Sequence, residues 1–289
     1  MPDIQMRFHT DMLVLTAPLD ATLEAQGIDE QADRDSLVAF EPETVLEALR
    51  VQAATGAQCL LAPTRCITRA QLAHLRLSEQ QAELAKAAVD VVKRLNPQHI
   101  MCPLGPTGLP LDLSSKTSMQ ANRDQYAQAC EALQEAGAEA ILLDAFTSTD
   151  DLLCALMGVR KVSDIPLFAS VLVDAKGALG AARLEEAIEL MDEYEADVMG
   201  IATSAPVHQA AQLVERACRT SELPLLVQLQ VGEQDYDEQT NPYADPDTLI
   251  AHAMRLRDAG VQFLQATGHA RARHTGALVA ATMGLDAIR

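Results

Sequence analysis

The sequence predicts an α/β fold, a (β/α)8 TIM barrel formed as one domain over residues 1–289. Three observations predict it. Eight short apolar runs alternate with helix-spaced segments along most of the chain. The passage from helix to strand recurs as ATGAQCLL, EAGAEAILL, EYEADVMGI and DAGVQFLQA, with glycine at the join in three of them. The apolar content is 48%, drawn from Leu, Val, Ile, Ala and Met with no Trp, which suits buried parallel strands. An open doubly wound sheet is the alternative, but no G-x-G-x-x-G follows the first strand.

The elements follow in order. The first strand is MLVLTA (12–17), and Glu41-Pro42 opens a helix with proline in its first turn. Gly56 suits the left-handed residue that ends that helix, and QCLLAP (58–63) is the second strand. HIMCPL (99–104) is the third. Gly137 ends the next helix, before strand four, EAILLDA (139–145). Ser148, with Asp151 three residues on, is a capping start. Strands five and six are PLFASVLV (166–173) and DVMGIAT (197–203); strand seven is PLLVQLQ (224–230). Asp245-Pro246 opens another helix, Gly260 ends it, and VQFLQAT (261–267) is strand eight. The least regular stretches, 20–40, 103–119 and 231–245, belong at or near the C-terminal rim of such a barrel, where sites are built.

Acidic residues outnumber basic ones 41 to 22, a net charge of −19, so the field repels phosphate backbones and argues against nucleic acid. Six scattered cysteines without a C-x-x-C pair suggest reduced thiols in a cytoplasmic protein. The N-terminus, MPDIQMRFHTD, is too polar for a signal peptide, and no apolar run approaches a membrane span.

From about residue 12 to its end the chain resembles the homocysteine S-methyltransferase family, which includes betaine–homocysteine methyltransferase and the N-terminal module of cobalamin-dependent methionine synthase. EPETVLEALRVQAATGAQCLLAPTRCITRAQL is similar to the family's second βα unit, and PLGPTG (103–108) to its S-I-G-P-T-G loop. YAQACEALQEAGAEAILLDAFTSTDDLLCAL is similar to the segment leading into its E-T motif, and IPLFASVLVDAKG (165–177) to its fifth strand. The resemblance implies zinc held by three cysteines, which binds the homocysteine sulfur and favours the nucleophilic thiolate.

The reactive positions depart from that pattern. Thr203, in Gly200-Ile201-Ala202-Thr203, stands where the family's G-x-N-C has its first zinc cysteine. Gln265-Ala266-Thr267-Gly268-His269-Ala270 replaces G-G-C-C-G-T, so both other zinc cysteines are gone. D-G-A-x-G-T reads Thr16-Ala17-Pro18-Leu19-Asp20-Ala21, and T-N-T-F reads Ala62-Pro63-Thr64-Arg65. The E-T glutamate becomes Asp144, and P-N-A-G becomes Leu229-Gln230-Val231-Gly232. Zinc is not expected, and no other cofactor is certain. A weaker alternative metal set is Cys66, Cys102 and His269, whose residue types suit zinc but whose spacing carries no motif.

Asp144 is the candidate catalytic residue, as a general base or the holder of a ligand amine, by analogy with the family glutamate. Thr64, Arg65, Thr203, Ser204, His269 and Arg271 are candidate ligand contacts at the barrel mouth. Gln228 and Gln230 alternate on strand seven, so both face one side and need partners or a ligand. HARARH (269–274) offers a basic cluster for an anion, or a solvated loop. Two readings stay open: a methyltransferase with altered substrate or activation, or a non-catalytic binding or regulatory homologue. A small-molecule ligand is expected in either. The resemblance adds docking on a corrinoid protein, with indirect use of a methyl-corrinoid, and a homo-oligomer stays open.

Overall fold

A computed structural model describes residues 3–28 and 37–288. Eight parallel strands close into a barrel: β1 (Leu13–Leu15), β2 (Cys59–Leu61), β3 (His99–Leu104), β4 (Ala140–Phe146), β5 (Leu167–Leu172), β6 (Val198–Thr203), β7 (Leu225–Val231) and β8 (Phe263–Gly268). Each pairs with its sequence neighbours, and β1 pairs with β8 through Leu13↔Phe263 and Leu15↔Gln265. A helix follows each strand: α1 (Pro42–Ala53), α2 (Gln81–Lys93), α3 (Lys116–Ala136), α4 (Thr149–Arg160), α5 (Leu184–Glu193), α6 (Val207–Thr220), α7 (Pro246–Asp258) and α8 (Ala272–Thr282). The expected TIM barrel is therefore the observed fold.

The strands are apolar on both faces because both faces are covered. Leu13, Leu15, Cys59, Leu61, Met101 and Leu142 fill the lower barrel interior with Phe168 and Phe263. The alternate residues, such as Val14, Leu60, Cys102 and Leu143, pack against the helices. The N-terminal end is plugged. A turn at Ile4–Arg7, capped by Asp3, buries Ile4 and sets Phe8 edge-on to Phe168 and Phe263.

The helix ends behave as their residues dictate. Ser148 caps α4 by accepting from the backbone N–H groups of Asp150 and Asp151, and Asp245 caps α7 ahead of Pro246. Gly56, Gly137 and Gly260 all have positive φ after their helices. The stretches 103–119 and 231–245 follow β3 and β7 at the C-terminal rim. Stretch 20–40 follows β1, and its residues 29–36 lie outside the described residues.

Three rim features are too short for a periodic pattern to reveal. They are the helical turns Asp20–Glu24 and Arg69–Ala73, and a hairpin pairing Ala178–Leu179 with Ala182–Arg183. One irregularity bears on the site. The β4–β5 register shifts between Leu143 and Phe146, and Ala145 sits there at φ 52°. The Ser170 hydroxyl accepts from the Ala145 N–H at 2.8 Å and donates to the Leu143 carbonyl at 3.2 Å, bridging the interrupted ladder.

Candidate functional site

A cleft of about 430 Å3 opens at the C-terminal mouth. Its walls come from the ends of β1, β2, β4, β7 and β8, from Pro103 of β3 and from the helical turn Asp20–Glu24. That is the end of a TIM barrel where sites lie. Asp144 enters it by strand alternation, on the inward side with Ala140 and Leu142, and is nearly buried; the bulge beyond it at Ala145 turns Phe146 outward to the helices.

Asp144 is held from two sides. Arg65 Nε donates to Oδ2 at 2.9 Å, and Gln228 Nε2 donates to Oδ1 at 2.7 Å. Gln228 Nε2 also meets Gln265 Oε1 at 2.7 Å, and Gln265 Nε2 donates to the Thr16 carbonyl at 2.9 Å. The Thr16 hydroxyl accepts from the Leu61 N–H at 3.0 Å. A continuous polar layer thus crosses the barrel beneath the cleft, wholly buried at Gln228. Gln228 Oε1 has no partner among the described residues. Burial works against the Arg65 charge, but Asp144 beside it more than offsets this and raises the guanidinium pKa.

The loop after β3 seats Arg65. Gly105 N–H donates to the Arg65 carbonyl at 2.9 Å. A Cβ at Gly105 would lie 3.2 Å from Arg65 Cζ and Nη1, so glycine leaves the room that the guanidinium occupies. Thr64 turns its hydroxyl to the Pro103 carbonyl at 2.9 Å, tying the ends of β2 and β3.

On the opposite wall, Gln230 and Thr267 are register partners of β7 and β8. Gly268 follows at φ 69°, where an added Cβ would come within 2.6 Å of the Val231 carbonyl. The same carbonyl accepts the His269 N–H at 2.9 Å, which fixes the turn that brings His269 to the cleft. His269 Nδ1 lies 3.9 Å from Glu24 Oε2, across the rim. Below the rim, Asn241 Oδ1 accepts from the Gly232 N–H, and the Tyr243 hydroxyl donates to the Ala205 carbonyl. His274 Nδ1 accepts from the Arg271 N–H at 2.9 Å, and its Nε2 faces the Ala244 carbonyl at 3.1 Å. Burial is the main cause holding the His274 pKa below its ordinary value.

Of the sequence candidates, Thr64, Arg65, Asp144, Gln230 and His269 line the cleft, with Gln228 directly beneath Asp144. Thr203, Ser204 and Arg271 do not line it. Thr203 is fully buried, and its hydroxyl accepts from the Ala205 N–H at 3.1 Å, finishing β6. Ser204 is exposed, and Arg271 is the exposed residue before α8. Cys66 and His269 line the cleft, whereas Cys102 packs outside the barrel among the helix-facing residues. Strand alternation explains this, since Met101 takes the inward position. Burial pushes the Cys102 thiol up to about 12. The period-two pattern that singled out Gln228 and Gln230 also holds for Gln265 and Thr267, which the sequence reading placed at motif positions but did not pick as site residues. Glu24 carried no comparable signal.

The residues present do not fit the zinc that the resemblance implies. Thr203, Thr267 and Gly268 supply no thiolate or imidazole at the three positions. Among the described residues, no three His, Cys, Asp or Glu side chains stand together as metal ligands.

Comparison with known proteins agrees with the fold. Solved structures similar to the chain include the homocysteine methyltransferase MmuM from Escherichia coli. Its metallated form matches with TM-score 0.78 at 18% identity, over 93% of this chain and 96% of that one. Its oxidized form gives 0.77 at 18% identity, with the same coverage. The carboxyl transferase domain of Rhizobium etli pyruvate carboxylase matches at 0.52 and 13% identity, over 91% of this chain and 41% of that one. At such identities the likeness is one of fold. No curated protein matches the sequence. A family model described as homocysteine S-methyltransferase matches residues 13–279, and the chain belongs to the homocysteine S-methyltransferase family.

Proposed function

We propose that this protein transfers a methyl group to a small acceptor bound in the mouth cleft, and that the acceptor is activated by proton removal and not by zinc. The observation that carries this reading is the exchange at the end of β8. Where the family has two zinc cysteines, this chain has Thr267-Gly268, His269 follows directly, and Glu24 stands 3.9 Å from the His269 ring. An imidazole backed by a carboxylate is a general base. At 3.9 Å the Glu24 carboxylate favours the imidazolium that forms when the ring takes a proton.

The step balances for a thiol acceptor. The S–H proton passes to the His269 imidazole as the S–CH3 bond forms. The bond between methyl and donor breaks, and the donor leaves with that electron pair. A free thiol has a pKa near 8.5, so only a few per cent is thiolate at neutral pH and a base accelerates the reaction. All six cysteines are free, which suits a reducing, cytoplasmic setting. The methyl donor in this reading is a small molecule or a docked corrinoid protein.

The test is a methyl-transfer assay with homocysteine and either betaine or methylcobalamin. His269→Gln is expected to lower kcat about 100-fold near neutral pH with KM little changed. The deficit shrinks at alkaline pH, where the thiol ionises unaided. A His269→Gln enzyme with unchanged kcat removes His269 from the mechanism. Absence of transfer with both donors, while the acceptor still binds, favours the non-catalytic homologue.

A further inference from the structure

We propose that Arg65 is the seat for a single carboxylate on a small ligand in the cleft, and that Asp144 is the residue that positions it. This rests on reading the cleft as the ligand site, and not on methyl transfer itself. Arg65 donates through Nε to Asp144, while Nη1 and Nη2 have no hydrogen-bond partner among the described residues. A guanidinium held by one nitrogen keeps a two-nitrogen edge whose geometry matches a carboxylate.

The guanidinium is preorganised from both sides. Gly105 leaves room against Cζ and Nη1, and any larger residue there would displace them. Asp144 is itself fixed by Gln228, Gln228 by Gln265, and Gln265 by the Thr16 carbonyl. Both Asp144 oxygens therefore accept hydrogen bonds within the protein. That is the posture of an anchor for Arg65, with both oxygens already engaged and poorly placed to take a proton from substrate. Fixing a long side chain in advance removes much of the entropic cost of ligand binding.

The cleft also selects the anion. Asp20, Glu24 and Asp144 line it beside Arg65, so each further negative charge on a ligand adds repulsion, and one carboxylate paired with the guanidinium edge is favoured over a dianion. Gln230 and Thr267 on the far wall are uncharged and make no side-chain hydrogen bond to a described residue, so they are available to the rest of the ligand.

Ligand-observed NMR titration of the full chain with butyrate, butyramide and inorganic phosphate tests the seat. Butyrate is expected to bind at least about tenfold more tightly than either other probe, the worth of one charge-assisted pair. Arg65→Gln removes that preference, and Arg65→Lys retains part of it. Asp144→Asn weakens butyrate several-fold and leaves butyramide unchanged, which a merely structural role would not do. Gly105→Ala weakens butyrate by crowding the guanidinium. Equal binding of butyrate and butyramide, tighter binding of phosphate, no butyrate binding at millimolar concentration, or full butyrate binding by a folded Arg65→Gln chain overturns the proposal. Should Arg65→Gln fail to fold, the ranking of the three probes on the native chain and the Arg65→Lys result decide it. Carboxylate binding without methyl transfer leaves the seat standing and removes the proposed reaction; transfer without carboxylate preference does the reverse.

Discussion

Ala145 adopts φ 52° next to Asp144, a left-handed conformation that an L side chain resists. The strain is held by its neighbours: the Ser170 hydroxyl binds the Ala145 N–H, and the β4–β5 register resumes at Phe146. Strain of this kind concentrates at functional sites, and here it lies beside the carboxylate at the mouth and turns Phe146 outward to the helices. Ala145→Val is expected to lower stability by about 2 kcal/mol, because a branched Cβ fits this conformation worst. Ala145→Gly should stay within about 1 kcal/mol, since relief of strain offsets the added backbone freedom. Urea midpoints check both; equal effects of valine and glycine would show that Ala145 is not strained. At this scale the sequence was informative only for some side chains. Arg65, Asp144, Gln230 and His269 were legible from strand ends and motif positions, and all four line the cleft. The bulge beside Asp144 was not, because it depends on a hydroxyl contributed by the next strand.

Among the elements, α8 is tied to the rim through His274 in its first turn. The ring accepts from the Arg271 N–H and faces the Ala244 carbonyl, an arrangement that suits the neutral ring. Its pKa is depressed in the fold, chiefly by burial. In the unfolded chain the imidazole protonates as pH falls past about 6.5. The stability from this site is therefore complete above about 6.5 and is lost as pH falls through the lower folded value. His252 on α7, also depressed mainly by burial, adds a slope of the same sign. Urea midpoints measured from about pH 7.5 down to pH 5 should fall less steeply in His274→Gln than in the native chain. An unchanged slope would contradict this role. The long elements were legible because their signals are local: the apolar runs, the caps at Ser148 and Asp245, and the glycines at helix ends all mark observed boundaries. The helical turns at Asp20–Glu24 and Arg69–Ala73 have no such period, so Glu24 and its approach to His269 emerge only from the fold.

Across the whole molecule, the barrel of the homocysteine S-methyltransferase family is present, and Thr203, Thr267 and Gly268 stand where the sequence motifs place its zinc cysteines. The helix-facing layer and the aromatic plug beneath Phe168 and Phe263 belong to the scaffold. Cys102 shows why residue type alone misleads: it lies inside β3, two residues short of its end, and alternation turns it toward the helices. The three thiol positions of the family's zinc site are occupied by residues that cannot replace them, while a polar layer from Arg65 to Thr16 is built beneath the cleft. The most direct test of a zinc-independent mouth is the methyl-transfer rate of the purified protein before and after exhaustive chelation, with its zinc content measured in parallel. The account predicts substoichiometric zinc and a rate unchanged by chelation. Activity that disappears with the chelator and returns with one equivalent of zinc would contradict it.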